Sequence, residues 1–351
     1  MKYIKSYKLF ELALGIAEAT LIYNKFLLNE FNKQFEESIT QGVPEYSNTI
    51  FYSKEDLSDF INDKSWYKFP VQSMSVTYII DRMSDQKWVD KYTNLTKKYY
   101  AIGGCQPIGT EEGDSSLKPA INDKSNLTIH LAITIGAKIS ESFNDMHSLS
   151  IEIESVIAHE LNHAYEVWSR YKLNKKEFST DVTWALDVNR ARVKKEIWRF
   201  WNRNIAYLIY LSEKIEINAM VHESWPYVEK YELEEMKDKS PVWKWSEIMK
   251  SFNSNEFKKE LSEMILSYYP DADVDFYIKR IKNAFANQLN SSKSPIKKTD
   301  KPSILAKDIK EMSVDEFLKL MENRINQAGI KLQRKVLRLY SLKKNRKNEN
   351  S

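Results

Sequence analysis

Five histidines occur in this 351-residue chain, and two of them stand four residues apart in His159-Glu160-Leu161-Asn162-His163. Neutral imidazoles ligate divalent metals at about 2 Å, and this spacing is a known pattern for zinc. On a helix, positions 159 and 163 are one turn apart and separated by roughly 40° around the axis, so both rings can reach one ion. Glu160 is turned roughly 100° from His159. It is poorly placed to join them as a ligand, but it can reach a water on the metal and take its proton. The chemistry such residues could carry is metal-assisted hydrolysis, with His159 and His163 as ligands and Glu160 as general base.

That chemistry requires a helix, and the flanking residues predict one over about 149–171. Ile153, Ile157, Leu161, Ala164 and Trp168 form an apolar stripe at helical spacing, and the His159–His163 face lies nearly opposite it. A pair of core histidines would point the other way. Ser148 or Ser150 can cap the helix, and Glu152 and Glu154 suit its positive end. Two imidazoles leave a zinc ion short of a protein ligand. No third histidine follows at the short spacing, where Ser169 stands, so a carboxylate from a later helix is expected. A helix is predicted over 213–224, capped by Ser212, and Glu213, Glu216 and Glu223 all fall near one of its faces. Glu216 is followed three residues later by Ala219, whose small side chain permits close helix approach. His222 lies roughly 120° around from Glu216 and is a poor ligand. With Tyr207, Tyr210 and Tyr227, it is a candidate donor to a transition-state oxyanion.

His159-Glu160-Leu161-Asn162-His163, followed by a helix carrying Glu216-Ile217-Asn218-Ala219, resembles the gluzincin group of zinc metallopeptidases over roughly residues 120–230. The resemblance implies a helix-rich α+β fold with a zincin-like core, in which a small antiparallel or mixed sheet packs on the active helix. It implies one zinc ion per chain held by His159, His163 and Glu216, with Glu160 as base and a peptide or protein as substrate. It also implies an antiparallel edge strand, just before the active helix, that pairs with extended substrate. Leu127–Ile135 is the expected strand, apolar at every odd position, with Thr128, His130, Ala132 and Thr134 bordering the cleft. One position departs from the group: the residue after Ala219, often acidic there, is Met220. A carboxylate behind a ligand imidazole must then come from elsewhere, and Asp181 and Asp187 are candidates. The lysine- and asparagine-rich character and the Met-Lys-Tyr-Ile-Lys start also resemble peptidases encoded by tailed phages. The alternative is a zincin-fold structural or interaction protein, for example virion-associated, that binds zinc without catalysis. The intact Glu160 argues against it.

The elements around these residues read as follows. A helix is expected over 3–40, broken by Gly42 and Pro44, then β-rich runs at 49–53 and 75–81. Residues 84–100 look helical, and 101–125, which holds half of the chain's eight glycines, reads as a long loop. A long helix is expected over 183–211, and Pro226 should stop the one that follows it. Helices continue through 243–290, a polar linker spans 291–303, and an amphipathic helix over 314–337 leads into a basic tail. The expected organisation is an N-terminal helical segment (1–44), a metallopeptidase core (45–232), a helical extension (233–290), the linker (291–303) and a C-terminal helix with tail (304–351). The scarcity of glycine and proline, 8 and 9 residues, favours helices over an all-β sandwich. A net charge of +4 is too small for this length to argue for a nucleic-acid partner. The single cysteine, Cys105, precludes an intrachain disulfide and any cysteine-based zinc cluster. No export signal or membrane span is read, so the expected location is cytoplasmic, or the virion or host cytoplasm under the phage resemblance.

Overall fold

The computed structural model of the protein describes residues 26–42, 45–53, 55–56, 71–83, 99–107, 127–138, 146–172, 191–291 and 309–349. The readings made for 1–25, 84–98, 108–126, 173–190 and 292–308 lie outside the described residues. Asp181, Asp187 and the polar linker are therefore not described. The fold is α+β and helix-rich, with one four-stranded mixed sheet among the described residues. The chain forms two compact units, one of residues 1–174, 218–239 and 342–351 and the other of 175–217 and 240–341.

The first unit begins with helix α1 (26–41) and the sheet. Its strands are β1 (Glu45–Tyr52), β2 (Val71–Met83), β3 (Tyr99–Pro107) and β4 (Leu127–Lys138), in spatial order β1-β2-β4-β3. β1 pairs antiparallel with β2, β2 runs parallel to β4, and β3 pairs antiparallel with β4. Period two sorts the sheet into two faces. Met74, Val76, Tyr78 and Ile80 on β2 are fully buried, as are Leu131, Ile133 and Ile135 on β4, while Thr77, Ile79, Ala132 and Thr134 between them are half-buried. The register places Val76 beside Leu131, Tyr78 beside Ile133 and Ile80 beside Ile135, so the buried residues share one face. α1 covers that face through Leu27, Phe31 and Phe35, with Phe31 and Tyr78 ring centroids 6.2 Å apart.

Helix α2 (Met146–Lys172) lies against β3 and, less extensively, against β4. Ile153, Ile157 and Leu161 are its buried stripe, as the periodicity predicts. The helix begins earlier than expected, so Ser148 and Ser150 lie within it rather than capping it. Two further expectations need correcting. Residues 99–107 form a strand, because the glycines that read as a loop are paired residue for residue with β4. β4 is an interior strand with neighbours on both sides, so it cannot pair with an extended substrate; among the described strands the edges are β1 and β3, each antiparallel to its neighbour, and β3 is the one that α2 packs against. Gly103 pairs with Ile133, and α2 approaches at Gly103, so Ala132 and Thr134 belong to the face away from α2.

The second unit is helical. α3 (Lys195–Trp201) passes through a π-turn (Asn202–Ala206) into α4 (Tyr207–Leu211). α5 (Lys214–Glu223) crosses the boundary between the units, which falls after Ile217 inside this one helix. Ser212 does not cap it, since its hydroxyl donates back to the Ile209 carbonyl at 2.6 Å. Pro226 starts a helix instead of ending one, because a proline in the first turn loses no hydrogen bond. That helix is α6 (Trp225–Lys230), followed in the first unit by α7 (Leu233–Lys239). α8 (Pro241–Lys250), α9 (Ser254–Tyr268), α10 (Val274–Ser291) and α11 (Val314–Glu349) follow. Trp201 centres the second core, stacked on Phe317 at 5.9 Å and edge-on to Phe257 and Phe285. No helix among the described residues is long and apolar enough to cross a membrane.

Candidate metal centre

The apolar stripe of α2 is buried, and positions 159, 160 and 163 lie outside it. All three side chains are half-buried. The His159 and His163 rings meet edge to face, with centroids 4.8 Å apart and an interplanar angle of 74°. Their Nε2 atoms are 3.0 Å from each other. On its other side, His159 Nδ1 lies 2.8 Å from Glu223 Oε2. An ionised carboxylate can only accept, so the proton of a neutral His159 ring sits on Nδ1 and its Nε2 carries a lone pair.

Glu216 lies in the first turn of α5 and is only 1% exposed. One donor atom from each of His159, His163 and Glu216 falls within 4.8 Å of the others. α5 is held to α2 at its far end, where the buried Ser155 hydroxyl donates to the Glu223 carbonyl at 2.5 Å. The donor set suits a borderline divalent cation: two imidazole nitrogens and one carboxylate oxygen. The Nε2 separation also lies near the about 3.3 Å edge of a tetrahedron with bonds of about 2.0 Å. The group could hold a metal ion.

The rivals of Glu216 are engaged elsewhere. Glu213 pairs with the Arg324 guanidinium, whose Nε also donates to Ser212 Oγ at 2.9 Å. Glu223 approaches the Nδ1 side of His159, opposite to the Nε2 that faces His163. His222 is buried, not a surface residue, and it is not part of the donor group. Tyr207 and Tyr210 are in the second unit, stacked on each other at 6.3 Å, with Tyr207 edge-on to Trp245 at 5.0 Å. Tyr227 is buried beside Tyr231, ring centroids 6.3 Å apart.

Glu160 is set against the edge strand. A Cβ at Gly103 would stand 2.5 Å from Val156 Cγ1, 2.6 Å from Glu160 Cγ and 2.9 Å from its Oε1. Only a glycine at 103 lets α2 come this close, so the residue that made β3 look like a loop is the one that brings the strand to Glu160. Sequence reasoning missed this contact and the one between Glu223 and His159. The available signal for the second was an acid in the last turn of a helix, where the dipole disfavours negative charge. No known protein family, curated protein or solved structure matches the chain.

Proposed function

We propose that this protein is a zinc-dependent peptidase with a zincin-like core. The convergence of His159, His163 and Glu216 donor atoms within 4.8 Å carries the reading. The position of Glu160 supports it, one residue along from a proposed ligand and out of the donor group. A zinc ion held there would polarise a water molecule and the scissile carbonyl. Glu160 accepts the proton of the attacking water and returns it to the leaving amine, so the water adds across the C–N bond with no net proton change. Of the two edge strands, β3, which α2 packs against, is the substrate platform. Its outer backbone edge can pair with an extended peptide, and at Gly103 one face of this strand lies against Glu160. A site holding zinc only for structure has no use for a carboxylate at 160.

The test uses the purified full chain. About one zinc per chain is expected by mass spectrometry of the metal after dialysis. Glu160→Gln should retain that zinc and lose at least about a hundredfold in hydrolysis of an unfolded protein such as casein. If the substitution leaves hydrolysis untouched, Glu160 is not the base and the peptidase reading fails.

A further inference from the structure

We propose that Glu223 is a positioning residue for His159, holding its ring from behind so that Nε2 is presented to the metal. The inference rests on the metal-centre reading given above. Positions 216 and 223 are seven residues apart, so they share a face of α5 roughly two turns from each other. One helix therefore offers an acid to each side of the same imidazole. Glu216 lies in the donor group with His159, and Glu223 Oε2 lies 2.8 Å from its Nδ1. The residue one turn after Glu216 is the buried Met220, whose thioether has no strong acceptor for an imidazole N–H. Glu223 therefore takes a role that Met220 cannot fill.

Three observations separate this contact from a casual surface pair. The His159 and Glu223 side chains are only 16% and 21% exposed. Glu223 occupies the last turn of α5, where the helix dipole opposes a carboxylate, so the position costs stability unless a partner compensates. Its backbone is also tied to the same helix, since Ser155, one turn before His159, donates to the Glu223 carbonyl at 2.5 Å. The carboxylate is thus delivered to Nδ1 by a helix end that is itself anchored. A charged acceptor there makes Nε2 more basic and selects the tautomer that ligates through it.

The experiment is titration of metal-free full-length chain with zinc chloride against a chromophoric chelator, together with nitrogen-15 spectra of the histidine side chains in the metal-free protein. Wild type should bind zinc and show His159 protonated at Nδ1. Glu223→Ala should weaken zinc binding about 10- to 100-fold and let the His159 tautomers mix. Glu223→Gln, isosteric and still an acceptor, should fall between the two and covers the case in which the alanine variant does not fold. Wild-type affinity in both Glu223 variants overturns the positioning role and leaves the metal centre standing. A loss of affinity with an unchanged His159 tautomer also overturns it, because the loss then comes from helix docking. Failure of the wild-type chain to take up zinc overturns this inference and the metal reading together.

Discussion

Lys282 and Glu216 are both almost wholly buried, at 0% and 1% exposure, yet their surroundings differ in kind. Lys282, in the second unit, points its ammonium at three main-chain carbonyls. Nζ donates to Ile309 at 2.5 Å, Met312 at 2.6 Å and Lys310 at 3.3 Å. Three donors meet three acceptors, and the charge is answered by the chain itself. Burial, with Lys279 nearby, still holds its pKa below the ordinary lysine value. Around Glu216 the chain gathers groups of another kind, two imidazole nitrogens that lie with its carboxylate within 4.8 Å of one another. A buried cation ringed by carbonyls is a fastening. Converging imidazole nitrogens and a carboxylate are a donor set that a cation would complete under the function proposed above.

If that contrast is right, substitutions on the two sides should separate cleanly. The largest effect is expected for His163→Ala. It should weaken zinc binding by about a thousandfold, about 4 kcal/mol, with little change in the urea midpoint of the metal-free chain. Lys282→Met should do the reverse. Three carbonyls lose their donor, urea unfolding should show a loss of about 3 kcal/mol, and zinc affinity should stay at the wild-type value. Gly103→Ala should cost about 2 kcal/mol by driving α2 away from β3, with proteolysis falling more than zinc affinity. Adding Val156→Ala should restore part of that stability, because Val156 Cγ1 is the nearest atom to the new methyl. The smallest effect is expected for Glu213→Gln. Its pairing with Arg324 is partly exposed and should contribute less than about 1 kcal/mol, and zinc content should not change. Loss of zinc in this last variant would mean that Glu213, not Glu216, completes the donor set.

Much of the candidate site was legible because its signals are local. The spacing of His159 and His163 places both on one helix face whatever the rest of the chain does. The stripe of Ile153, Ile157 and Leu161 says which side of that helix is buried, and all three are. Glu216 was reachable by its place in a motif, although the face it shares with Glu213 and Glu223 left three candidates open. The alternation in Leu127–Ile135 predicted a strand with one buried face, and Leu131, Ile133 and Ile135 line it.

The remainder depended on partners far away in sequence. Tyr99–Pro107 contains two consecutive glycines, and by local preference they mark a turn; pairing with β4 makes them a strand. Nothing within 99–107 shows that an incoming helix needs the space at Gly103. Ser212 has the residue type and position of a cap, but the preceding carbonyl and Arg324, 112 residues away, take its hydroxyl. Glu223 meets His159 across 64 residues of chain. By itself, then, the sequence determined which residues can hold a metal and which helix face presents them, because helical periodicity is written in consecutive positions. Tertiary structure decided which strands lie at the edges of the sheet and which acid joins the two imidazoles in one donor group, because both depend on long-range packing that no local pattern encodes.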